Sequence, residues 1–218
     1  MRRTDDRLDR VQHWIFDLDN TLYPAELGIL DSLQERSVTF IEESLGIGYD
    51  QASELKQALS SEYGTIARGL ELRYGIAQKR FHGFIHSVSL NALRPDKELQ
   101  EILRRLPGEK LIHTNAPREH ADAVLARLQV AELVDAIYAI EDAAGIPKPS
   151  EKNYQQMIAR MGIDPNRSCF FDDQVRNLVY PKTIGMLTVL VSSADTAALP
   201  SPELDWQAAT VHEFFQLS

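Results

Sequence analysis

Asp17 and Asp19 come directly after the apolar run at residues 14–16, and a single residue separates them. A turn at this point can aim both carboxylates into one cleft. One carboxylate can then bind a divalent cation and attack phosphorus, while the other gives a proton to the leaving oxygen and later takes one from water. An isolated Asp-x-Asp pair is more often an Asx turn or a helix cap, so this chemistry needs a second observation.

Asp172 and Asp173 provide it, because they also follow an apolar run, at residues 169–171, and Asn177 stands four residues after Asp173. Four carboxylates brought to one place would repel one another and stay partly protonated unless a cation lay between them. Mg²⁺ prefers sites made of oxygen ligands. The two pairs together therefore predict a Mg²⁺ site, although either Asp172 or Asp173 can also cap the following helix.

Lys148, Thr114 and Asn115 are the candidates for binding an anion. Lys148 lies between two prolines, which stiffen the backbone around a single ammonium group that can hold a phosphoryl oxygen. Thr114 and Asn115 end another apolar run and offer a hydroxyl and a backbone N–H for the remaining phosphoryl oxygens. Taken singly, each is also explained as a solvated lysine or as a turn, and Arg118 is a weaker candidate still.

The elements that must position these residues show a strand and helix alternation from about residue 95 onward. This rhythm predicts an α/β fold with a parallel sheet. In open parallel sheets ligands bind beyond the carboxyl ends of the strands, and all of the candidates above follow such ends. The predicted strands cover residues 14–16, 110–114, 136–140, 168–171 and 188–191.

Residues 25–90 have only helical spacing of their apolar side chains. A crossover between parallel strands needs about a dozen residues, so this longer stretch predicts a small inserted domain. We expect a core domain formed by residues 1–23 and 92–218 and a helical domain formed by residues 24–91.

The composition excludes several classes of protein. With 218 residues, 44% of them hydrophobic, the chain can bury a sizeable core, while its net charge of −9 disfavours a nucleic-acid polymer as partner. The single cysteine, Cys169, lies in an apolar run and is expected to be buried without a disulfide. No segment has the pattern of a signal peptide or a membrane span, so we expect a cytoplasmic protein whose oligomeric state the sequence does not indicate.

The whole set resembles the haloacid dehalogenase (HAD) superfamily, whose four motifs stand here in order as residues 17–21, 114–115, Lys148 and 171–173. The resemblance implies a Rossmann-like core with a C1-type cap inserted after the first strand. It implies that Asp17 is the nucleophile and that Asp19 is the acid and base. The implied Mg²⁺ ligands are Asp17, the backbone carbonyl of Asp19 and Asp173, with Asp172 assisting, and the implied phosphate-binding residues are Thr114 and Lys148.

A narrower resemblance, to the pyrimidine 5′-nucleotidase subgroup, rests on residues 16–24, 63–65, 68–70, 81–82 and 170–177. It implies UMP and CMP as substrates and Tyr63, Arg68 and His82 as contacts to the nucleoside. Gln174 departs from this pattern because a small hydroxyl residue is usual there. Pro181 is expected to interrupt the helix after the fourth motif.

Other functions stay open at this point. A phosphatase or phosphomutase for another small metabolite, such as a sugar phosphate or phosphoglycolate, would share every core residue. A dehalogenase is disfavoured, because a departing halide needs no proton from Asp19. A non-catalytic binding protein is disfavoured by the intact Asp17, Asp19, Lys148 and Asp173.

Overall fold

The computed structural model describes residues 5–192 and 204–217, which form two compact units. The first unit contains residues 5–27 and the described residues from Leu93 onward, and the second contains Gly28–Ala92.

A six-stranded parallel sheet organises the first unit and confirms the predicted α/β class. Its strand order is β3-β2-β1-β4-β5-β6. Five strands lie where apolar runs predicted them, while the short strand β6 was not predicted. The strands are β1 (His13–Phe16), β2 (Glu109–His113), β3 (Ala136–Tyr138), β4 (Ser168–Asp172), β5 (Leu187–Val191) and β6 (Trp206–Ala208).

The second unit is helical and has its own apolar core. Phe40, Leu59, Leu70 and Phe81 are buried there, one from each helix. None of the helices in the described ranges is long and apolar enough to cross a membrane. The helices are α1 (Ile29–Leu45), α2 (Tyr49–Tyr63), α3 (Ile66–Tyr74) and α4 (Gln78–Ile85).

Helices cover the sheet of the first unit. They are α5 (Lys97–Arg105), α6 (Arg118–Leu128), α7 (Glu151–Met161), α8 (Val175–Thr183) and α9 (Val211–Leu217). Ile15 and Phe170, on the adjacent strands β1 and β4, are fully buried against Tyr154 of α7 and Leu178 of α8. A strand buried on both faces carries a continuous apolar run, which is why β1 and β4 were recognisable in the sequence. Cys169 is buried in β4 as predicted.

The expectation that Pro181 interrupts the helix after the fourth motif was wrong, because α8 runs through it. Proline has no N–H with which to bond the carbonyl one turn earlier, that of Asn177. The hydroxyl of Tyr154 donates to this carbonyl instead, at 2.7 Å. The helix therefore tolerates the proline because a neighbouring helix supplies the missing donor.

Candidate active site

The register of the three central strands sets the position of the site. Phe16, the last residue of β1, is aligned with Ile112 of β2 on one side and with Phe171 of β4 on the other. The backbone N–H of Asp17 continues this alignment by donating to the carbonyl of Phe171 at 2.8 Å. The segments that follow β1, β2 and β4 therefore leave the sheet at the carboxyl ends of their strands, at the point where the strand order reverses. The site lies at this carboxyl-terminal edge of the sheet.

Lys148 lies at the centre of this edge. Its ammonium group is 2.9 Å from Oδ1 of Asp17 and 2.7 Å from Oδ2 of Asp172, and it donates to the backbone carbonyl of His113 at 2.9 Å. These contacts match the three donors of an ammonium, and the residue is only 4% exposed. Lys148 is thus a buried, fixed positive charge rather than a solvated loop lysine.

The electrostatic balance at Asp17 depends on its neighbours. Burial raises the pKa of Asp17 well above its usual range, Lys148 opposes this, and the charges of Asp172 and Asp173 raise it further. Burial by itself would lower the pKa of Lys148, but the two carboxylates that contact it outweigh burial, so its pKa is raised. The site therefore keeps its lysine charged and has more carboxylate than one lysine can neutralise.

Asp172 and Asp173 differ in how their oxygens are used. Asp172 is fully buried; its Oδ1 accepts from the backbone of Gln174 and from the side chain of Asn177, both at 2.9 Å, while its Oδ2 accepts from Lys148. Asp173 is half-buried, and its Oδ2 accepts from Gln174 Nε2 at 2.8 Å. Burial raises the pKa of Asp173, and the bond from Gln174 opposes this.

Three carboxylates at this edge fit a divalent cation. Asp17, Asp172 and Asp173 each offer an oxygen, and these oxygens lie within 4.8 Å of one another. All three donors are hard oxygen ligands, which suits Mg²⁺ better than a softer metal. A cation here would relieve the repulsion that raises the pKa of Asp17. The protein donors already bonded to both oxygens of Asp172 leave Asp17 and Asp173 as the better direct ligands.

Asp19 follows Asp17 in a tight turn. Asn20 has φ of 60°, in the left-handed region that Asn tolerates better than most residues. Tyr23 and His120 both contact the side chain of Asp19: its Oδ1 accepts from the hydroxyl of Tyr23 and lies 2.8 Å from Nε2 of His120. Sequence analysis missed His120, because it stands in an amphipathic helix 101 residues from Asp19.

Thr114 and Asn115 follow β2 at the same edge. Thr114 is buried, and its hydroxyl accepts from the backbone N–H of Ala116 at 3.0 Å. The side chain of Asn115 bonds twice to the backbone of Lys148, accepting at 2.7 Å and donating at 3.2 Å. Asn115 was predicted to bind substrate; its side chain holds the lysine loop, so a substrate contact would involve its backbone N–H.

Arg118 does not serve the site as a free cation. Its guanidinium is 2.7 Å from Asp142 and donates to the carbonyl of Ile137 at 2.5 Å. These bonds tie the start of α6 to β3 and to the loop that follows it, which is a structural role.

The three predicted nucleoside contacts belong to the second unit. Tyr63 ends α2 and packs against the apolar core of that unit, Arg68 is exposed in α3, and His82 lies in α4 with its ring between those of Phe81 and His86. Their part in binding substrate stays a prediction.

Comparison with known proteins extends these findings. The family model described as haloacid dehalogenase-like hydrolase matches residues 11–179. Phosphate metabolism protein 8 of Saccharomyces cerevisiae is 29% identical over 190 residues, which cover 79% of this chain and 59% of the yeast protein. Validoxylamine A 7′-phosphate phosphatase of Streptomyces hygroscopicus subsp. limoneus is 24% identical over 108 residues, 48% of this chain and 50% of that protein. The chain thus spans less than two thirds of the length of either relative.

Solved structures share the fold. A HAD phosphatase from Thermococcus onnurineus has a TM-score of 0.64 at 18% identity, covering 94% of this chain and 97% of that one. A dehalogenase is similar too, with a TM-score of 0.60 at 17% identity, covering 95% of this chain and 97% of that one. At these identities the likeness shows the fold, and the reaction must be inferred from the site.

Proposed function

The chain belongs to the haloacid dehalogenase-like hydrolase family, and we propose that it is a Mg²⁺-dependent phosphomonoester hydrolase whose nucleophile is Asp17. The observation that carries this proposal is the convergence of Asp17, Lys148 and the Asp172–Asp173 corner at one edge of the sheet. A nucleophilic carboxylate beside a fixed cation and a cation site suits the transfer of a negatively charged phosphoryl group.

Two displacements complete the proposed reaction. First, a carboxylate oxygen of Asp17 forms a bond to phosphorus as the bond to the ester oxygen breaks, and Asp19 gives its proton to that oxygen, releasing an alcohol. Asp19 then takes a proton from water while the water oxygen attacks phosphorus. The bond between phosphorus and Asp17 breaks, which releases inorganic phosphate and restores both carboxyl groups.

The chain's own residues hold the charges in this reaction. Lys148 would neutralise a phosphoryl oxygen, and the hydroxyl of Thr114 and backbone N–H groups after β2 would bind the others. Asp17, the backbone carbonyl of Asp19 and Asp173 would hold Mg²⁺, which when bound supplies positive charge to the transferring group.

Asp19 favours phosphoester cleavage over dehalogenation. An alkoxide leaving group needs a proton, whereas halide does not, and Asp19 is a carboxyl group two residues after the proposed nucleophile that can supply it. The fold alone does not make this distinction, because a dehalogenase shares it.

Pyrimidine nucleoside 5′-monophosphates are the proposed substrates, with Tyr63, Arg68 and His82 as the proposed nucleoside contacts. The support is the resemblance of residues 63–65, 68–70 and 81–82 to the pyrimidine 5′-nucleotidase subgroup. The second candidate is a sugar-like phosphate, favoured by the relative that is a validoxylamine A 7′-phosphate phosphatase.

A screen of phosphate release tests both substrate classes. UMP, CMP, purine nucleotides and sugar phosphates are incubated with the protein and Mg²⁺, with EDTA and with Asp17→Asn as controls. We expect UMP and CMP to rank first and both controls to be inactive. UMP and CMP at the bottom of the ranking would reject the nucleotidase assignment, and full activity of Asp17→Asn would reject the mechanism.

A further inference from the structure

His120 is a buried polar residue on a helix face that otherwise packs into the core. It lies in the first turn of α6 and is 3% exposed, and Ala121, Val124 and Leu125 of the same helix are also buried. An apolar side chain would satisfy the packing at such a position, whereas a buried imidazole needs hydrogen-bond partners. The partner of its Nε2 atom is the side chain of Asp19, at 2.8 Å.

The direction of this bond follows from the chemistry of Asp19. An ionised carboxylate can only accept hydrogen bonds, so Nε2 of His120 carries the proton and donates. Tyr23 donates to the same oxygen, Oδ1, through its hydroxyl. Tyr23 is 3% exposed, and burial, followed by the charge of Asp19, raises the pKa of its hydroxyl, so that the hydroxyl remains a donor.

We propose that His120 and Tyr23 are positioning residues that hold the Asp19 carboxyl group in the orientation needed for proton transfer. Both contact its Oδ1 atom, and both are 3% exposed. Two buried donors on one oxygen hold the carboxyl plane in one orientation. This inference rests on the proposed function, in which Asp19 protonates the leaving oxygen.

The basicity of the leaving group separates this role from a general contribution to folding. An alkyl phosphate releases a strongly basic oxygen and depends on the proton from Asp19, whereas p-nitrophenyl phosphate releases a weakly basic phenolate and depends on it little. Loss of the positioning contacts should therefore slow the first displacement for alkyl esters selectively. The ratio kcat/KM reports that step for both substrates.

The experiment compares His120→Leu, His120→Gln and Tyr23→Phe with wild type, using p-nitrophenyl phosphate and the faster of UMP and ribose 5-phosphate. We expect His120→Leu to lower kcat/KM for the alkyl ester by about 100-fold and that for p-nitrophenyl phosphate by less than about threefold. His120→Gln, whose amide nitrogen can donate from a similar position, should recover most of the loss. Tyr23→Phe should show the same selectivity with a smaller effect.

Val124→Ala is the matched control, since it alters the same buried face of α6. It should change kcat/KM for both substrates by a similar factor. If His120→Leu lowers kcat/KM equally for both substrates, or does not lower it, the positioning role is overturned while the proposed function stays intact. If His120→Leu does not fold, Tyr23→Phe, which removes one oxygen, decides the question by the same comparison of kcat/KM losses for the alkyl ester and p-nitrophenyl phosphate. Failure of wild type to hydrolyse any of these esters would overturn the proposed function and this inference with it.

Discussion

The end of β1 and the end of β4 each bring two carboxylates to the same edge of the sheet, but different donors surround them. After β1, Asp17 contacts the ammonium of Lys148, and Asp19 contacts the hydroxyl of Tyr23 and the imidazole of His120. At the end of β4, Asp172 accepts from three protein donors and Asp173 accepts from Gln174.

In the proposed mechanism this difference gives distinct tasks to four chemically identical side chains. A carboxylate beside a fixed cation can attack phosphorus, and one that contacts a hydroxyl and an imidazole can exchange a proton. A carboxylate with all its protein donors in place holds the site together, and one with few donors can bind a metal ion. The positions of the donors, rather than the spacing of the aspartates, distinguish the four.

We expect the largest effect on activity from a substitution of Asp17. Asp17→Asn keeps the shape of the side chain but removes the nucleophile, so phosphate release should fall by at least about 10³-fold. Steady-state assays with Mg²⁺ measure this, and circular dichroism checks that the fold is retained. Residual activity above a tenth of wild type would assign the nucleophile to another residue.

Asp172→Ala should lose stability as well as activity. It removes one of the two carboxylates that contact buried Lys148 and leaves the donors of Gln174 and Asn177 without their acceptor, a loss of about 3–5 kcal/mol in the free energy of unfolding. Urea denaturation without metal measures this value. An unchanged unfolding midpoint would contradict the structural role given to Asp172.

Asp173→Ala is the matched variant at the adjacent residue, and we expect it to cause no loss of stability in the absence of metal. Without metal it should leave stability unchanged or raise it by up to about 1 kcal/mol, because it relieves repulsion on Asp17. Wild type should gain about 2.7 kcal/mol when Mg²⁺ is present at 100 times its dissociation constant. Thermal shift assays should show this gain in wild type and little of it in Asp173→Ala; equal gains would exclude Asp173 as a direct ligand.

Gln174→Ala should have the smallest effect of these variants, and we expect it on the Mg²⁺ requirement of the activity. It removes one side-chain hydrogen bond to Asp173, worth about 1 kcal/mol at most in an exposed position. We expect the Mg²⁺ concentration for half-maximal activity to change by less than about fivefold. A metal titration measures it, and a change as large as that of Asp173→Ala would make Gln174 part of the metal site.

The sequence was sufficient to predict the parallel sheet. It was also sufficient to single out Asp17, Lys148, Asp172 and Asp173, which the structure brings together, since each of them follows or flanks a clear local pattern; their catalytic roles stay predictions. It was not sufficient to predict the contacts from distant residues that support the site and its helices. His120 resembles any residue of an amphipathic helix, and the bond from Tyr154 to Asn177 depends on the packing of two helices. The short strand β6 has no long apolar run to mark it. Such features are determined by contacts between distant residues, which spacing along the chain does not encode.

The central position of β1 also affects the order of folding. Its neighbours β2 and β4 begin 96 and 155 residues later in the chain, so the strand that precedes Asp17 cannot pair with β2 before residue 109, or with β4 before residue 168, has been synthesised. The helices α1 to α4 rely on local contacts, which form faster than such distant pairings. We therefore expect pulsed hydrogen exchange to detect protected amides in residues 29–85 before those of β1; simultaneous protection would contradict this order.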